Sequence, residues 1–272
     1  MTDYVSRSPQ RVRFPLRFRH AQVVSAENLT PNMRRIVIAG EELEGFESQG
    51  FDDHVKLFPP LDGRAQILPS TDADNNPVWP DPMPVGRDYT PRYFDPQTRE
   101  LTLDFAIGHG GPATAFAEQA KPGDPIGMGG PRGSFLVPVD YEQQLLIGDD
   151  TALPAIARRL EELPAGRKVI ACIEVEDEGD EQPLPTKADA EIIWVHRKGT
   201  PRGDGQALTA AALGAAKRID PKDAFVWAAC ESAVARSLRA KLLEVQDFNT
   251  KSMRVSAYWR INQNDILDVI EG

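Results

Sequence analysis

The first half of the chain consists of short runs in which apolar and polar positions alternate. Between residues 12 and 18, every second position is apolar and the positions between them are mostly arginine, which is typical of a strand with one buried face. Further β-rich runs between Pro and Gly cover residues 34–38, 54–58 and 100–105. The pattern predicts one short helix, at residues 113–120. Many short strands with a single helix predict a closed antiparallel β-barrel over residues 1–140.

The second half alternates between buried strands and helices. Apolar runs at residues 144–148, 169–175, 192–195 and 224–229 predict strands that are buried on both faces. Helical periodicity covers residues 153–163, 208–216 and 232–243. This order predicts a mostly parallel sheet covered by helices. Asp150 or Thr151 is the expected N-cap of the first helix, with Pro154 in its first turn.

The boundary between the two predicted domains falls near residues 138–143, so that the second domain covers residues 141–272. The apolar residues Ile266, Leu267, Val269 and Ile270 predict a short amphipathic helix, which extends this domain at the C-terminus. Such an extension either packs on the domain or covers the approach of the electron donor.

Composition narrows the possible functions. The 272 residues carry a net charge of −10, and both halves are acidic, which argues against binding to nucleic acid or to anionic lipid. No apolar run approaches the ~18 residues of a membrane span. Cys172 and Cys230 lie in apolar runs and are expected to be free, buried thiols. We therefore expect a cytoplasmic protein without a metal site of its own.

Two motifs in the first half suggest a flavin site. Arg87-Asp88-Tyr89-Thr90 ends an extended run, and a glycine-rich turn at residues 108–111 opens the predicted helix. The Tyr ring can lie against the isoalloxazine, the Thr hydroxyl can bond the ring edge, and the Arg can neutralise the diphosphate. The turn and the helix start, with His109, Gly111, Ala113 and Thr114, offer backbone N–H groups to the same phosphates.

A nucleotide site is expected in the second half, beyond the ends of the parallel strands. Gly148-Asp149-Asp150-Thr151 follows the first strand, and Thr151 would face the flavin and the arriving nicotinamide. Cofactor preference is open. Acidic residues end the second strand and favour NADH over NADPH, whereas basic residues end the third strand and can attract a 2′-phosphate. The acidic residues are Glu174, Glu176 and Asp177, and the basic ones are His196, Arg197 and Lys198.

The chain resembles the siderophore-interacting or ferric-siderophore reductase family, whose members have the architecture of ferredoxin-NADP reductases. Several motifs carry the resemblance in the same order, nearly from end to end. They are residues 50–58, Arg87-Asp88-Tyr89-Thr90-Pro91, His109-Gly110-Gly111-Pro112-Ala113, Gly130-Pro131-Arg132-Gly133-Ser134, residues 148–156 and Ala257-Tyr258-Trp259-Arg260. The tail departs from the family at Asn262, which follows Ile261. Similar proteins often have Gly at this position.

The resemblance implies an antiparallel FAD-binding barrel followed by a mostly parallel NAD(P)H-binding domain. It implies a reductase that passes electrons from NADH, NADPH or a ferredoxin through FAD to a ferric siderophore, so that Fe(II) is released in the cytoplasm. Tyr89 and Thr151 would act nearest the chemistry. The residues expected to bind the cofactors are Arg87, Tyr89, Thr90, Asp104, His109, Gly111, Ala113, Thr114, Asp149, Thr151 and Trp259. Three cations, Lys56, Arg132 and Arg254, would converge on the anionic substrate.

Two other functions fit the same sequence. One is a general flavin or quinone reductase on the same scaffold, and the other is a siderophore-binding protein without catalytic activity. A yellow purified protein would exclude the second of these. Comparison of ferric siderophores with free flavin and quinones as electron acceptors separates the first from the leading interpretation.

Overall fold

A computed structural model describes residues 9–61, 64–245, 248–261 and 268–269. Its contacts separate Arg11–Leu136 from a second compact unit that takes in the rest of the described chain. We call Arg11–Leu136 the barrel unit and the chain from Val137 onwards the sheet unit.

The barrel unit is antiparallel. Its strands are β1 (Gln10–Arg13), β2 (Phe18–Thr30), β3 (Met33–Ala39), β4 (Val55–Phe58), β5 (Ser70–Thr71), β6 (Pro77–Val78), β7 (Arg87–Tyr89), β8 (Tyr93–Asp95), β9 (Glu100–Ala106), β10 (Pro125–Gly129) and β11 (Gly133–Leu136). Seven of them form one sheet in the order β7-β4-β10-β2-β3-β9-β8, and β1 pairs with β11 and β5 with β6. The helix α1 (Pro112–Gln119) lies where the sequence predicts it.

The alternating pattern places one face of this sheet in a common core. Ile36 lies opposite Leu103, and Ile38 lies opposite Leu101, and all four are fully buried. The sheet is strongly curved. The ring of Tyr89, on the edge strand β7, therefore packs against the ring of Phe105 on β9, with the ring centroids 4.2 Å apart. The result is the barrel-like antiparallel unit that the sequence predicts.

The sheet unit is parallel apart from its last strand. Its elements are β12 (Gln143–Asp149), α2 (Leu153–Glu162), β13 (Lys168–Val175), β14 (Asp189–His196), α3 (Gln206–Ala216), β15 (Ala224–Glu231), α4 (Ser232–Val245), β16 (Met253–Trp259) and β17 (Asp268–Val269). The sheet order is β14-β13-β12-β15-β16-β17. Because β13 and β15 are buried along nearly their whole length, the apolar runs of the sequence become the centre of a covered sheet.

Helices pack closely on this sheet. Side chains of α3 and α4 share a core with Leu145, Ile147 and Val226. Gly148 lets α2 approach β12, because a Cβ atom at Gly148 would lie 2.5 Å from the Cβ atom of Ala152. No helix among the described residues is long and apolar enough to cross a lipid bilayer.

The C-terminal region differs from the prediction. Strand β16, which the sequence pattern does not predict, adds to β15 in parallel. The helix predicted at residues 266–270 falls largely outside the described residues, and its described part, Asp268–Val269, is a strand paired antiparallel with Ser256 and Ala257. The helical prediction is wrong at Val269, since pairing with the open edge of β16 satisfies more backbone groups there.

We expect Gly148→Ala to lower the free energy of unfolding by about 1–3 kcal/mol, because the added methyl group forces α2 away from β12. Gly214→Ala is the matched control. Gly214 is exposed within α3 and an added Cβ atom there meets nothing within 4 Å, so that this change should raise stability by about 0.5–1 kcal/mol. Chemical denaturation measures both values. Equal effects of the two substitutions would contradict the packing argument.

Candidate functional site

The Arg-x-Tyr-Thr motif lies at one end of the barrel unit. Strand β7 pairs with β4, so that Val55 lies opposite Tyr89 and Lys56 opposite Asp88. Burial raises the pKa of the Tyr89 phenol well above its usual value, so the hydroxyl keeps its proton and can donate a hydrogen bond. Thr90, which follows β7, is buried. The motif therefore presents a fixed aromatic ring and a hydroxyl group at a strand end.

Arg87 is half-buried and in place to carry positive charge at the same strand end. Its Nη1 atom donates to the carbonyl oxygen of Gly86 at 2.6 Å, which holds the guanidinium near the backbone. A guanidinium carries five N–H donors in a planar fork, which is the geometry that matches two oxygens of a phosphate.

The glycine-rich turn leaves backbone N–H groups accessible before α1. Gly110 and Gly111 have φ angles of 76° and 100°, and a Cβ atom at either position would meet nothing within 4 Å. Gly111 is the N-cap, and no side chain caps the helix. Because Pro112 has no N–H group, the first turn of α1 offers the N–H groups of Ala113 and Thr114, which have no intrahelical partner.

The remaining predicted residues of the turn pack around it. The Nδ1 atom of His109 lies 3.2 Å from the carbonyl oxygen of Gly110 and 3.4 Å from Oγ1 of Thr114. Ala113 and Thr114 are buried. His109 thus folds against its own turn and supports it.

These features fit FAD. The open turn and uncapped helix start supply N–H donors for a diphosphate, and the space above both glycines is what a closely bound phosphate requires. Tyr89 and Thr90 supply an aromatic surface and a hydroxyl group for the flavin ring.

Asp104, one of the residues expected to bind the cofactors, is part of a charge pair within the barrel unit. Its two carboxylate oxygens accept hydrogen bonds from Nε and Nη2 of Arg35, at 2.7 and 2.8 Å. Arg92 lies 3.8 Å away on the other side. Asp104 is buried and lies opposite Arg35 on the neighbouring strand, so this charge pair fastens β9 to β3.

Two of the predicted substrate cations lie at the same end of the barrel unit. Lys56 pairs across the sheet with Gly129, and Arg132 follows Gly129 by three residues and is exposed. The Nζ atom of Lys56 lies 3.1 Å from the carboxylate of Asp88. The third cation, Arg254, belongs to the sheet unit, where it lies on β16 beside Trp227 of β15.

In the sheet unit, Asp149 forms hydrogen bonds with two other residues of the predicted site, Thr151 and Trp259. Its Oδ1 atom accepts from the N–H and the hydroxyl of Thr151, at 3.0 and 2.5 Å, and its Oδ2 atom accepts from the indole N–H of Trp259 at 2.8 Å. These bonds fix the turn after β12. The predicted cap at Asp150 or Thr151 is wrong, because α2 begins at Leu153 and its N-cap is Ala152, whose side chain makes no capping hydrogen bond.

Arg197 lies buried in a cluster of carboxylates at the carboxyl ends of the strands. Its guanidinium contacts Asp150 at 3.0 Å, Glu176 at 3.3 Å and Glu174 at 3.7 Å. Arg202 also contacts Asp150, at 2.8 Å. The sequence shows these charges but not their pairing, which depends on the alignment of β12, β13 and β14.

Burial changes the protonation of two acids in this region. It raises the pKa of Glu174 to about 7, with a further contribution from Asp149 that Arg197 partly offsets. Burial and the neighbouring Asp150 likewise raise the pKa of Asp149 to about 6. Both groups therefore titrate near neutral pH.

The basic run after β14 is neutralised by the protein itself. The Nε2 atom of His196 lies 2.9 Å from Glu181, and the Nζ atom of Lys198 lies 3.0 Å from Glu178. Together with the enclosed Arg197, these pairs reduce the attraction for a 2′-phosphate that the sequence alone suggests.

Sequence reasoning missed two buried acids that hold the site in shape. The Oδ2 atom of Asp53 accepts from Ser48, Gly50 and Ser134, and so ties the motif before β4 to β11. Glu231 accepts from the N–H groups of Ala233 and Val234 and caps α4. The glutamate directly before a helix was the available signal for Glu231.

Comparisons with known proteins agree with this geometry. Residues 22–135 match the family model of the siderophore-interacting FAD-binding domain, and residues 141–262 match that of the siderophore-interacting protein. The chain is 40% identical over 257 residues to the NADPH-dependent ferric-chelate reductase of Escherichia coli, which covers 93% of this chain and 97% of the relative. It is 29% identical to the ferric vibriobactin reductase of Vibrio cholerae, over 89% of each chain.

A solved structure shows the same fold. The siderophore utilization protein from T. fusca superposes with a TM-score of 0.86 and is 37% identical, over 95% of this chain and 98% of that chain.

We expect Glu174→Gln to flatten the pH dependence of stability. The pKa of Glu174 is raised from 4.5 in the unfolded chain to about 7, so the stabilisation from its bound proton is complete below 4.5 and is lost as the pH rises to about 7. Between about pH 5 and pH 8, the free energy of unfolding of the variant should fall by about 1–3 kcal/mol less than that of the parent.

Denaturant unfolding at several pH values measures this difference. Glu142→Gln is the control, because Glu142 is exposed beside Arg167 at the other end of the sheet. The account of the carboxylate cluster is contradicted if Glu174→Gln retains the parent's pH slope.

Proposed function

This chain belongs to the siderophore-interacting protein family, and we propose that it is an FAD-dependent reductase of ferric siderophores. The observation that carries the proposal is the joint presence, in the barrel unit, of the Arg87-x-Tyr89-Thr90 strand end and the open glycine turn before α1. The names of the two relatives, which are reductases of ferric chelates, support the substrate class.

The residues of the barrel unit would hold and orient FAD. When bound, FAD accepts a hydride from a nicotinamide and returns single electrons to Fe(III). Arg87 and the N–H groups after Gly111 offset the charge of the diphosphate. Tyr89 supports the ring, and Thr90 offers a hydroxyl group to its edge.

The sheet unit would bind the nicotinamide nucleotide at the carboxyl ends of its parallel strands. Asp149 holds the Thr151 hydroxyl and the Trp259 indole in fixed positions there. The name of the Escherichia coli relative supports NADPH, whereas the carboxylates around Arg197 and Lys198 support NADH. Rates with the two nucleotides decide between them, and slow reduction by both would favour a protein donor such as a ferredoxin.

Lys56, Arg132 and Arg254 would bind the ferric siderophore. Many such complexes are anionic, and a protein of net charge −10 attracts an anion only through local positive charge. Lys56 pairs with Asp88, and a third of its side chain is exposed, so its charge is accessible to a ligand.

We propose that the reaction takes place in the cytoplasm. Cys172 and Cys230 are free and buried, which suits a reducing compartment, and nicotinamide nucleotides are intracellular donors.

We expect Arg87→Ala to lose FAD on dialysis while the parent stays yellow. A partly buried, charge-assisted phosphate contact contributes about 1.5–3 kcal/mol, which corresponds to at least a tenfold weaker affinity. Flavin absorbance per protein measures the loss. Arg167→Ala, which removes an arginine from the sheet unit, should retain full flavin content. A colourless parent that takes up no FAD would exclude the proposed function.

We expect Lys56→Ala, Arg132→Ala and Arg254→Ala each to raise the apparent KM for anionic ferric siderophores by about 3–10-fold, and the KM for neutral iron chelates much less. The effect should shrink with salt, since the Debye length falls from ~10 Å at 0.1 M to ~3 Å at 1 M. Asp88→Asn should act in the opposite direction, because it removes the partner of Lys56.

Lys168→Ala is the control, because Lys168 is an exposed lysine at the start of β13. Flavin content should be unchanged in all variants. If the triple alanine variant reduces anionic ferric siderophores as fast as the parent at low salt, the three residues do not form the substrate site. Equal activity towards quinones or free flavin would favour the general reductase.

A further inference from the structure

His54 differs from the other three histidines of the chain in how its ring is held. His20 and His196 pair with glutamates, and His109 folds against its own turn. The imidazole of His54 makes no hydrogen bond and no ion pair with any described residue. It is also the one exposed side chain in the described stretch 50–59. Both of its ring nitrogens can therefore exchange protons with a ligand and with water.

His54 lies next to one of the proposed substrate cations. It directly precedes β4, where Val55 and Leu57 belong to the core of the barrel unit. Because side chains alternate along an extended chain, His54 and Lys56 lie together on the outward side. A ligand that reaches the ammonium group of Lys56 therefore also meets the imidazole.

Two neighbouring segments border His54. The antiparallel pairing of β4 with β7 brings His54 to the level of Thr90, whose hydroxyl is proposed for the flavin edge. On the other side, a Cβ atom at Gly130 would lie 3.8 Å from the carbonyl oxygen of His54, and Arg132 follows two residues later. His54 is thus placed between a group proposed to bind the flavin and a second proposed substrate cation.

The acidic groups around His54 have other partners or other surroundings. Asp53 is buried and accepts three hydrogen bonds, and Asp52 is buried beside it. Asp88, on β7, is held in an ion pair with a lysine. The corner after β10 contributes only the exposed cation Arg132. Since no described carboxylate binds the imidazole, its proton is available to a bound ligand.

We propose that His54 is a general acid, which protonates an oxygen atom of the siderophore as iron leaves. The proposal rests on the proposed function, which supplies the electron that converts Fe(III) to Fe(II) and so weakens the Fe–O bond. The N–H of the imidazolium gives its proton to the oxygen as this bond breaks, and the neutral imidazole then takes up a proton from water. The proton on the oxygen prevents Fe(II) from binding again.

The test compares a ferric hydroxamate with ferric EDTA as substrates of the FAD-loaded protein, and an Fe(II)-specific chelator traps the product. Hydroxamate oxygens are strongly basic and carboxylate oxygens are weakly basic, so only the first complex depends on an acid. His54→Gln should slow Fe(II) release from the hydroxamate by about 10–100-fold at about pH 7, and the rate with ferric EDTA should change less than about twofold. His20→Gln is the control, since His20 is an exposed histidine of the same unit that pairs with Glu42.

The pH dependence gives a second prediction for the same residue. The parent's rate with the hydroxamate should fall as the pH rises from about 6 to about 8, because an imidazole loses its proton in that range. The rate of His54→Gln should be low and nearly independent of pH there. Added imidazole should restore part of the rate of His54→Ala, because the shortened side chain leaves room for it.

Equal slowing with both complexes would overturn the proposal, because His54 would then serve binding of any chelate. Loss of flavin from His54→Gln would also overturn it, because that result assigns His54 to FAD. A further readout needs no turnover. In NMR spectra of the oxidised protein, a redox-inert gallium(III) hydroxamate should shift the ring resonance that His54→Gln lacks, and leave that of His20 in place.

This readout separates the two proposals. A shifted His54 resonance in a protein that reduces no ferric complex would reject the reductase function and still support contact between His54 and the chelate. An unshifted resonance in an active reductase would reject the role of His54 and leave the reductase function standing.

Discussion

An anion can approach this chain only where positive charge is locally concentrated, because its 272 residues carry a net charge of −10. Both expected ligands, the FAD diphosphate and an anionic iron chelate, need such charge. The cations of the structure are of two kinds, those enclosed by carboxylates and those that a ligand can reach. Arg197 is enclosed by three carboxylates and serves the fold, whereas Lys56 pairs with Asp88 and stays partly exposed, and Arg132 is exposed. The position of accessible cations such as these helps to decide where an anion can bind.

Internal charge pairs and backbone geometry support the site. Arg35 and Asp104 join β3 to β9, and Asp53 ties the segment before β4 to β11. The turn before α1 is shaped by the left-handed backbone of Gly110 and Gly111, which have φ angles of 76° and 100°. Within the motif at residues 50–58, Asp53 therefore serves the shape of the barrel unit.

Periodicity predicted most of the fold, since the alternating runs became the barrel unit and the apolar runs became β12, β13, β14 and β15. It failed where partners come from distant parts of the chain. The sequence does not show that Arg35 lies opposite Asp104 and binds its carboxylate, or that Glu178 and Glu181 pair with Lys198 and His196. A residue's type shows what it can bind, whereas tertiary structure shows whether it is already bound.

The most direct test of the account is anaerobic and follows the flavin absorbance of the purified protein. NADH or NADPH should bleach the flavin, and a ferric siderophore added afterwards should restore its colour while an Fe(II)-specific chelator reports iron(II) in proportion. A flavin that stays reduced in the presence of ferric siderophores, but is reoxidised by quinones or free flavin, would contradict the central claim that this protein reduces chelated iron.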